Sequence, residues 1–227
     1  MGTSAFGGTL KRIFGARAIA GKYTSLQLDD DAIARGDYKL HLGGGSEGWD
    51  ARGLFQLHLL RARGLEPSST LLDIGCGPLR AGVHFIRYLD AGNYQGFDYN
   101  ASFVTAGQRL IAEHGLADKR PSVAMLADFD FRGVERRFDY GLAFSVLNHC
   151  NEAQRKLFFA NIGRCLAPGA KLFISHARWL KEPDLASARL SILNRFDAAD
   201  LDLSNYGWPA PEQRSVCPIY ELVKRSD

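Results

Sequence analysis

The stretch Leu71-Leu72-Asp73-Ile74-Gly75-Cys76-Gly77-Pro78-Leu79-Arg80-Ala81-Gly82 restricts the fold more than any other part of this chain. An apolar, β-prone run from Thr70 to Ile74 breaks into a Gly-Cys-Gly turn. A helix-like segment, Ala81 to Tyr88, follows. A strand that feeds a glycine turn and a helix N-terminus brings backbone N–H groups and a positive dipole end towards a ligand. Asp73, just ahead of the turn, adds a carboxylate that accepts hydrogen bonds from a cationic or hydroxyl-bearing group. The stretch therefore predicts a cofactor-binding turn in an α/β fold.

Length and composition narrow the setting. The 227 residues suit one domain, or one domain with a modest cap, and 46% hydrophobic residues predict a packed core. A net charge of +3 makes no case for nucleic acid as a partner. No apolar run reaches the roughly 18 residues of a membrane span. Cys76, Cys150, Cys165 and Cys217 are scattered, without a C-x-x-C pair or metal-ligand spacing, which reads as a reduced, cytoplasmic protein without a bound metal. The first 28 residues carry Lys11, Arg12, Arg17 and Lys22 before the first acid, Asp29. Glycines interrupt the apolar residues there and no signal-peptide core develops. A surface or cap segment is expected, with weak peripheral membrane contact as the lesser alternative.

After residue 69 strands and helices alternate, predicting an open, mostly parallel, doubly wound sheet. The strands read as Thr70–Ile74, Tyr94–Phe97, Ser122–Leu126, Tyr140–Ser145 and Lys171–Ser175. The helices read as 81–89, 101–114 and Glu152–Leu166, the last one stopped by Pro168-Gly169. Asp184–Asn194 has a helical pattern and Asp197–Gln213 reads as loop. Ser215–Val223 reads as a last, antiparallel strand in which Pro218 favours an edge or a bulge. Residues 1–69 are expected to form an N-terminal helical cap, hinged at Gly43-Gly44-Gly45, ahead of a binding domain at 70–227.

Which cofactor the turn takes is narrowed by what it lacks. A dinucleotide fingerprint needs G-x-G-x-x-G, and the third glycine is replaced by Arg80. A phosphate-cradling G-x-x-x-x-G-K-[ST] is absent. Asp98, followed by Tyr99, ends the second strand about twenty residues on, where a carboxylate can bind both hydroxyls of a ribose. Ala127-Asp128-Phe129 follows the third strand, and an acid with an aromatic suits an adenine amino group and ring face. Asp73, Asp98 and Asp128 all fall at carboxyl ends of strands, where open α/β sheets bind ligands.

In these residues the chain resembles the class I methyltransferases that use S-adenosylmethionine. The resemblance rests on Leu72-Asp73-Ile74-Gly75-Cys76-Gly77, Gly96-Phe97-Asp98, Ala127-Asp128-Phe129, Phe138 to Leu147 and Leu166-Ala167-Pro168-Gly169-Ala170, in order across residues 70–176. It implies that Asp73 and Gly75-Cys76-Gly77 face the methionine portion, Asp98 with Tyr99 the ribose, and Asp128 with Phe129 the adenine. Ser145 would stand beside the sulfonium. Leu79 departs from the pattern, since many members carry a third glycine there. Cys76 reads as a small packing residue rather than a nucleophile.

Transfer of an activated methyl group asks mainly for alignment, which can supply about 7–11 kcal/mol of a barrier. A base is needed only where the acceptor must lose a proton. His149, four residues beyond Ser145, is the candidate base, against a packing role. His176, Arg178 and Trp179 follow the fifth strand as acceptor contacts, and Trp49, with Tyr38 and Gln56, could line a lid formed by Ser46 to Gln56. Tyr206 and Trp208 are weaker candidates for an acceptor wall. The [DN]-P-P-[YF] signature of methylases acting on base amino groups is absent after the fourth strand, and Cys217-Pro218 is reversed and too far downstream for cytosine C5 chemistry. The expected acceptor is an O or N atom of a small molecule or of a sugar or lipid-linked precursor. The alternative is a non-catalytic S-adenosylmethionine-binding partner or sensor, and oligomeric state is left open.

Overall fold

The computed structural model describes residues 26–42, 48–201 and 217–226. The Gly43-Gly44-Gly45 hinge, Ser46 and Glu47 of the expected lid, the basic start before Leu26, and Tyr206 and Trp208 lie outside the described residues. Elements run in the order α1 (Asp30–Arg35), α2 (Tyr38–His41), α3 (Trp49–Ala62), β1 (Leu71–Ile74), α4 (Gly82–Tyr88), β2 (Tyr94–Asp98), α5 (Ala101–Glu113), β3 (Ser122–Met125), β4 (Phe138–Ala143), α6 (Glu152–Ile162), β5 (Leu166–Ser175), α7 (Glu182–Leu185), β6 (Leu190–Asp197) and β7 (Pro218–Lys224). They build a seven-stranded sheet in the order β3-β2-β1-β4-β5-β7-β6.

Five parallel strands (β1 to β5) occupy one side, and β7 runs antiparallel between β5 and β6. All four residues of β1 are buried, as a central parallel strand with helices on both faces requires. One face packs Leu72, Ile74, Leu172 and Ile174 against Phe158, Phe159 and Ile162 of α6. The other packs Leu71, Leu142 and Phe173 against α4, α5 and α3. Ile33, Tyr38, Trp49 and Phe55 join that second cluster, so the described part of residues 1–69 shares the sheet's core.

Local chemistry sets the helix starts. The Asn100 side chain caps α5 by accepting the N–H groups of Ser102 and Phe103, at 2.8 and 3.3 Å. Asn151 and Gln154 form a reciprocal capping box at the start of α6. The C-terminal end of α3 is tied to the sheet: the Arg63 carbonyl accepts Lys171 Nζ at 2.7 Å and the Tyr140 hydroxyl at 3.3 Å. Beside it the buried Glu221 accepts Asn194 Nδ2 at 2.8 Å, with Lys171 Nζ 3.4 Å and Arg63 Nη1 3.8 Å away.

Three expectations are corrected. The segment 184–194 is not a helix: after the short α7, Leu190 opens strand β6, which pairs with β7 along its length. Pro218 is not on an edge. It sits at the first position of the interior strand β7, where its missing N–H interrupts little of the ladder, and its carbonyl accepts the His176 N–H at 2.8 Å. Pro168-Gly169 does not stop α6, which ends at Ile162. It lies in a bulge of β5, where the register with β4 shifts between Phe138 and Tyr140. Among the described residues no helix is long and apolar enough to cross a membrane.

Candidate functional site

The chain reverses direction beside β1: β1, β2 and β3 build outward, and β4 returns to β1's other side. A crevice at such a switch point lies beyond the carboxyl ends of the strands. The glycine turn occupies it. Gly75 and Gly77 have φ of +71° and +56°, and a Cβ on Gly75 would overlap Val146. The N–H groups of Gly75 and Cys76 both donate to the Phe97 carbonyl, at 2.7 and 3.0 Å, which locks the turn onto the end of β2.

Asp98 completes this edge. Its Oδ2 accepts the Gly77 N–H and its Oδ1 the Asn100 N–H, each at 2.8 Å. An ionised carboxylate has about four acceptor positions, so these backbone donors leave capacity for a ribose hydroxyl. Burial raises the Asp98 pKa, offset by the backbone N–H groups of Asn100, Gly77 and Tyr99. Tyr99 is half exposed on the rim.

Leu79 shows how a turn tolerates a side chain where a third glycine is usual. It is fully buried at φ +61°, and the space comes from glycines on the neighbouring helices. A Cβ on Gly82 would lie 2.6 Å from Leu79 Cδ2, and one on Gly107 would lie 2.9 Å from its Cγ. Glycines on the helices that close over the turn thus leave the room that the Leu79 side chain occupies.

Asp73 is placed differently from the expectation. It is 4% exposed and accepts the Tyr94 hydroxyl at 2.8 Å beneath the turn. Burial pushes its carboxyl up to about 7, against the lowering effect of the Tyr94 hydrogen bond. Cys76 packs alongside, with Sγ 3.5 Å from the Gly77 carbonyl, and burial raises its thiol far from the nucleophilic range.

At the end of β3, Asp128 and Phe129 both adopt left-handed backbone, at φ +52° and +51°. Asp128 is exposed at the sheet edge. Phe129 is half-buried, its ring 5.2 Å from Phe158 and 6.4 Å from Phe131, so it also serves the core under α6. The Leu126 N–H donates to the Asp98 carbonyl at 2.9 Å and holds the two strand ends together.

Across the crevice, the ends of β4 and β5 meet the start of β7 around His176. Its Nδ1 lies 3.0 Å from Ser175 Oγ, 3.2 Å from Ser145 Oγ and 3.3 Å from Cys217 Sγ. Ser175 Oγ accepts the Ser145 N–H at 2.7 Å. Ser145 and His176 are both left-handed, at φ +59°, which aims the two side chains at each other. With Nδ1 so surrounded, no described residue is bonded to Nε2. Burial, then the neighbouring His149 and Arg178, lowers the His176 pKa, so its imidazole is neutral at pH 7. His149 stands on the exposed rim beside Asn148, at 3.2 Å, and desolvation lowers its pKa too. Arg178 is exposed. Trp179 instead packs on Phe159 and under the Arg155 guanidinium, 4.1 Å from its ring. Ser175, which sequence reasoning read only as the end of the fifth strand, is the chain neighbour of His176, whereas Cys217 escaped because only the insertion of β7 beside β5 brings it there.

Trp49 is also corrected. It is 5% exposed, 5.5 Å from the Tyr38 ring, with the Arg80 guanidinium 5.6 Å and Lys39 Nζ 5.9 Å from its ring. The tryptophan anchors the segment and presents no face to an acceptor. Arg80, whose sequence significance was only that it is not glycine, donates to the Leu42 carbonyl at 3.0 Å. It thus fastens α2 and α3 to the glycine turn, and Leu42 Cδ1 comes within 3.9 Å of where a Gly77 Cβ would be. Among the described residues no group of His, Cys, Asp and Glu could hold a metal ion.

Residues 72–172 match the family model of a methyltransferase domain. Among solved structures, magnesium protoporphyrin IX methyltransferase from Synechocystis PCC 6803, with bound SAM, is 15% identical. It has a TM-score of 0.58 over 90% of this chain and 89% of that one. The glycopeptide N-methyltransferase MtfA, complexed with sinefungin, is 14% identical, with a TM-score of 0.59 over 75% of this chain and 93% of that one. The 4+2 cyclase SpnF is 18% identical, with a TM-score of 0.57 over 76% of this chain and 82% of that one. At these identities the likeness is one of fold. The match to the methyltransferase-domain model spans residues 72–172, and the sheet has the fold of these class I methyltransferases.

Proposed function

We propose that this protein is an S-adenosylmethionine-dependent methyltransferase acting on an O or N atom of a small molecule or of a sugar or lipid-linked precursor. The observation that carries the proposal is the Asp98 carboxylate. It is locked to the Gly75-Cys76-Gly77 turn at the switch point, with acceptor capacity left for a ribose hydroxyl. The left-handed glycines leave the turn open for close backbone approach, which fits the methionine end of the cofactor. When bound, that cofactor supplies a methyl group on a sulfonium.

This chain's residues align and, where needed, deprotonate the acceptor. Asp98 with Tyr99 orients the ribose, Asp128 takes the adenine amino group, and Phe129 borders the ring. Asp73 acts from beneath, holding β1 and β2 in register through Tyr94. Ser145 and Ser175 fix the His176 ring; with Nδ1–H donated to a serine oxygen, Nε2 holds the lone pair that accepts the acceptor's proton. His149 on the rim assists or substitutes in that role, and Arg178 offers a charge to the acceptor. The four free, buried cysteines fit a reducing, cytoplasmic location.

The same fold in SpnF belongs to a cyclase, so cofactor binding and methyl transfer need separate tests. Incubating the protein with S-adenosylmethionine and fractionated small-molecule pools should yield S-adenosylhomocysteine only when an acceptor pool is present. Cofactor binding with no turnover on any pool would favour the non-catalytic alternative.

A further inference from the structure

A second pocket lies at the opposite edge of the sheet. It has a volume of about 270 Å³, and five cations line it: Arg137, Arg164, Arg189, Lys224 and Arg225. They come from places that the topology gathers at one corner. Arg137 precedes β4, Arg164 follows α6, Arg189 precedes β6, Lys224 ends β7 and Arg225 follows it. The antiparallel register, with Leu190 opposite Lys224, is what brings the last three together. A strand rises about 3.3 Å per residue, so the six-residue β4 keeps this corner roughly 20 Å from the Ser145 end.

The corner is built rather than incidental. Lys224 Nζ donates to the Ala188 carbonyl at 2.7 Å, and the Arg225 N–H to the Arg189 carbonyl at 2.9 Å. A Cβ on Gly163 would lie 2.7 Å from the Ala188 oxygen, so α6 closes tightly on the same turn. No acidic side chain is among the lining residues. Arg137, Arg164, Lys224 and Arg225 form no ion pair with a described carboxylate. Burial lowers the Lys224 pKa, and the charges of Arg189, Arg137 and Arg225 lower it further, so the positive charges converge on one point.

We propose that this pocket is an anion site for a phosphate-bearing group, separate from the cofactor edge. A single carboxylate would answer one of the four cations that form no ion pair with a described carboxylate, whereas a phosphate or diphosphate offers more charge and several acceptor oxygens. Guanidinium forks match those oxygens in pairs. The volume is below the roughly 300–1,000 Å³ of sites that enclose whole ligands, so the pocket takes the phosphorylated head and leaves the remainder outside. The shared chemistry admits two sources, a free phosphorylated small molecule or a phospholipid headgroup.

Calorimetry with inorganic pyrophosphate at fixed ionic strength tests the site. The wild-type protein is expected to bind, and the R164Q/R225Q variant to bind about tenfold more weakly or less, from the loss of two charged hydrogen-bonding partners. Both arginines are exposed, so the variant is expected to keep the wild-type melting temperature and its S-adenosylmethionine affinity. Should that variant melt early, Arg137→Gln gives the same comparison from a different element. Flotation with vesicles of phosphatidic acid in phosphatidylcholine, against phosphatidylcholine alone, distinguishes the sources. Arginine-dependent retention assigns a lipid headgroup, and pyrophosphate binding without retention assigns a soluble ligand. No pyrophosphate binding by the wild type, or equal binding by the variants, overturns the proposal.

Discussion

Replacing Asp73 by asparagine should stabilise the protein above neutral pH, although it removes a carboxylate from the sequence's main motif. Asp73 is buried, and its carboxyl is pushed from 3.8 to about 7 in the folded chain. Below about pH 4 both folded and unfolded states hold the proton and the group costs nothing. Between about 4 and 7 the unfolded chain ionises while the folded one keeps its proton, so stability falls as pH rises. Above about 7 both are ionised and the loss levels off. At about 1.36 kcal/mol per unit, that loss is roughly 4 kcal/mol. The asparagine side chain is neutral throughout and its Oδ1 can still accept the Tyr94 hydroxyl, so the descending limb disappears. Any cost of the new amide group shifts the whole curve without changing its slope. Tyr94→Phe should extend the limb to higher pH at the same slope, since the hydroxyl is the neighbour that lowers the Asp73 pKa. Denaturant unfolding of wild type and variants from pH 4.5 to 8.5 measures this. Parallel stability curves for wild type and Asp73→Asn would refute the reasoning.

Three further predictions concern the site. Gly75→Ala places a Cβ into Val146 at a left-handed backbone position, and should destabilise by roughly 2–4 kcal/mol and abolish cofactor binding, with Val146→Ala as a partial rescue. Full stability in Gly75→Ala, measured by denaturant unfolding, would contradict the packing. His176→Gln should lower turnover of a proton-bearing acceptor about 10²–10⁴-fold without changing cofactor affinity, whereas His149→Gln should act more weakly. The wild-type rate should fall as pH drops through the lowered His176 pKa, below 6.5, and an unchanged pH profile in His176→Gln would remove it as the base. Arg80→Ala should release α2 and α3 from the turn, seen as faster amide exchange over residues 38–42, and unchanged exchange would argue against that anchor.

The binding half of the fold was readable because its signals are local. Leu71 to Gly77 writes a strand and a left-handed turn in adjacent residues, and Asp98 ends a short apolar run that only a strand explains. The segment 184–194 misled because Leu185, Ala188 and Ile192 keep helical spacing, and pairing with β7 overrides that preference. Trp49 illustrates a second limit: an aromatic before a binding turn can line a cleft or fill the core, and only the Arg80 and Tyr38 contacts decide it. The His176 cluster was half visible. Ser145 and His176 end strands in sequence, but Cys217 joins them through a strand insertion that local patterns do not encode.

The central claim is that the Asp98 end of β2 holds the ribose of S-adenosylmethionine. Calorimetric titration of the cofactor into wild type and Asp98→Ala tests it most directly, with melting curves to check the fold. The account predicts binding by the wild type, an affinity about 10²-fold weaker in the variant from the loss of charge-assisted hydrogen bonds, and a fold that persists. Equal affinity in a folded Asp98→Ala, or no binding by the wild type, would contradict it.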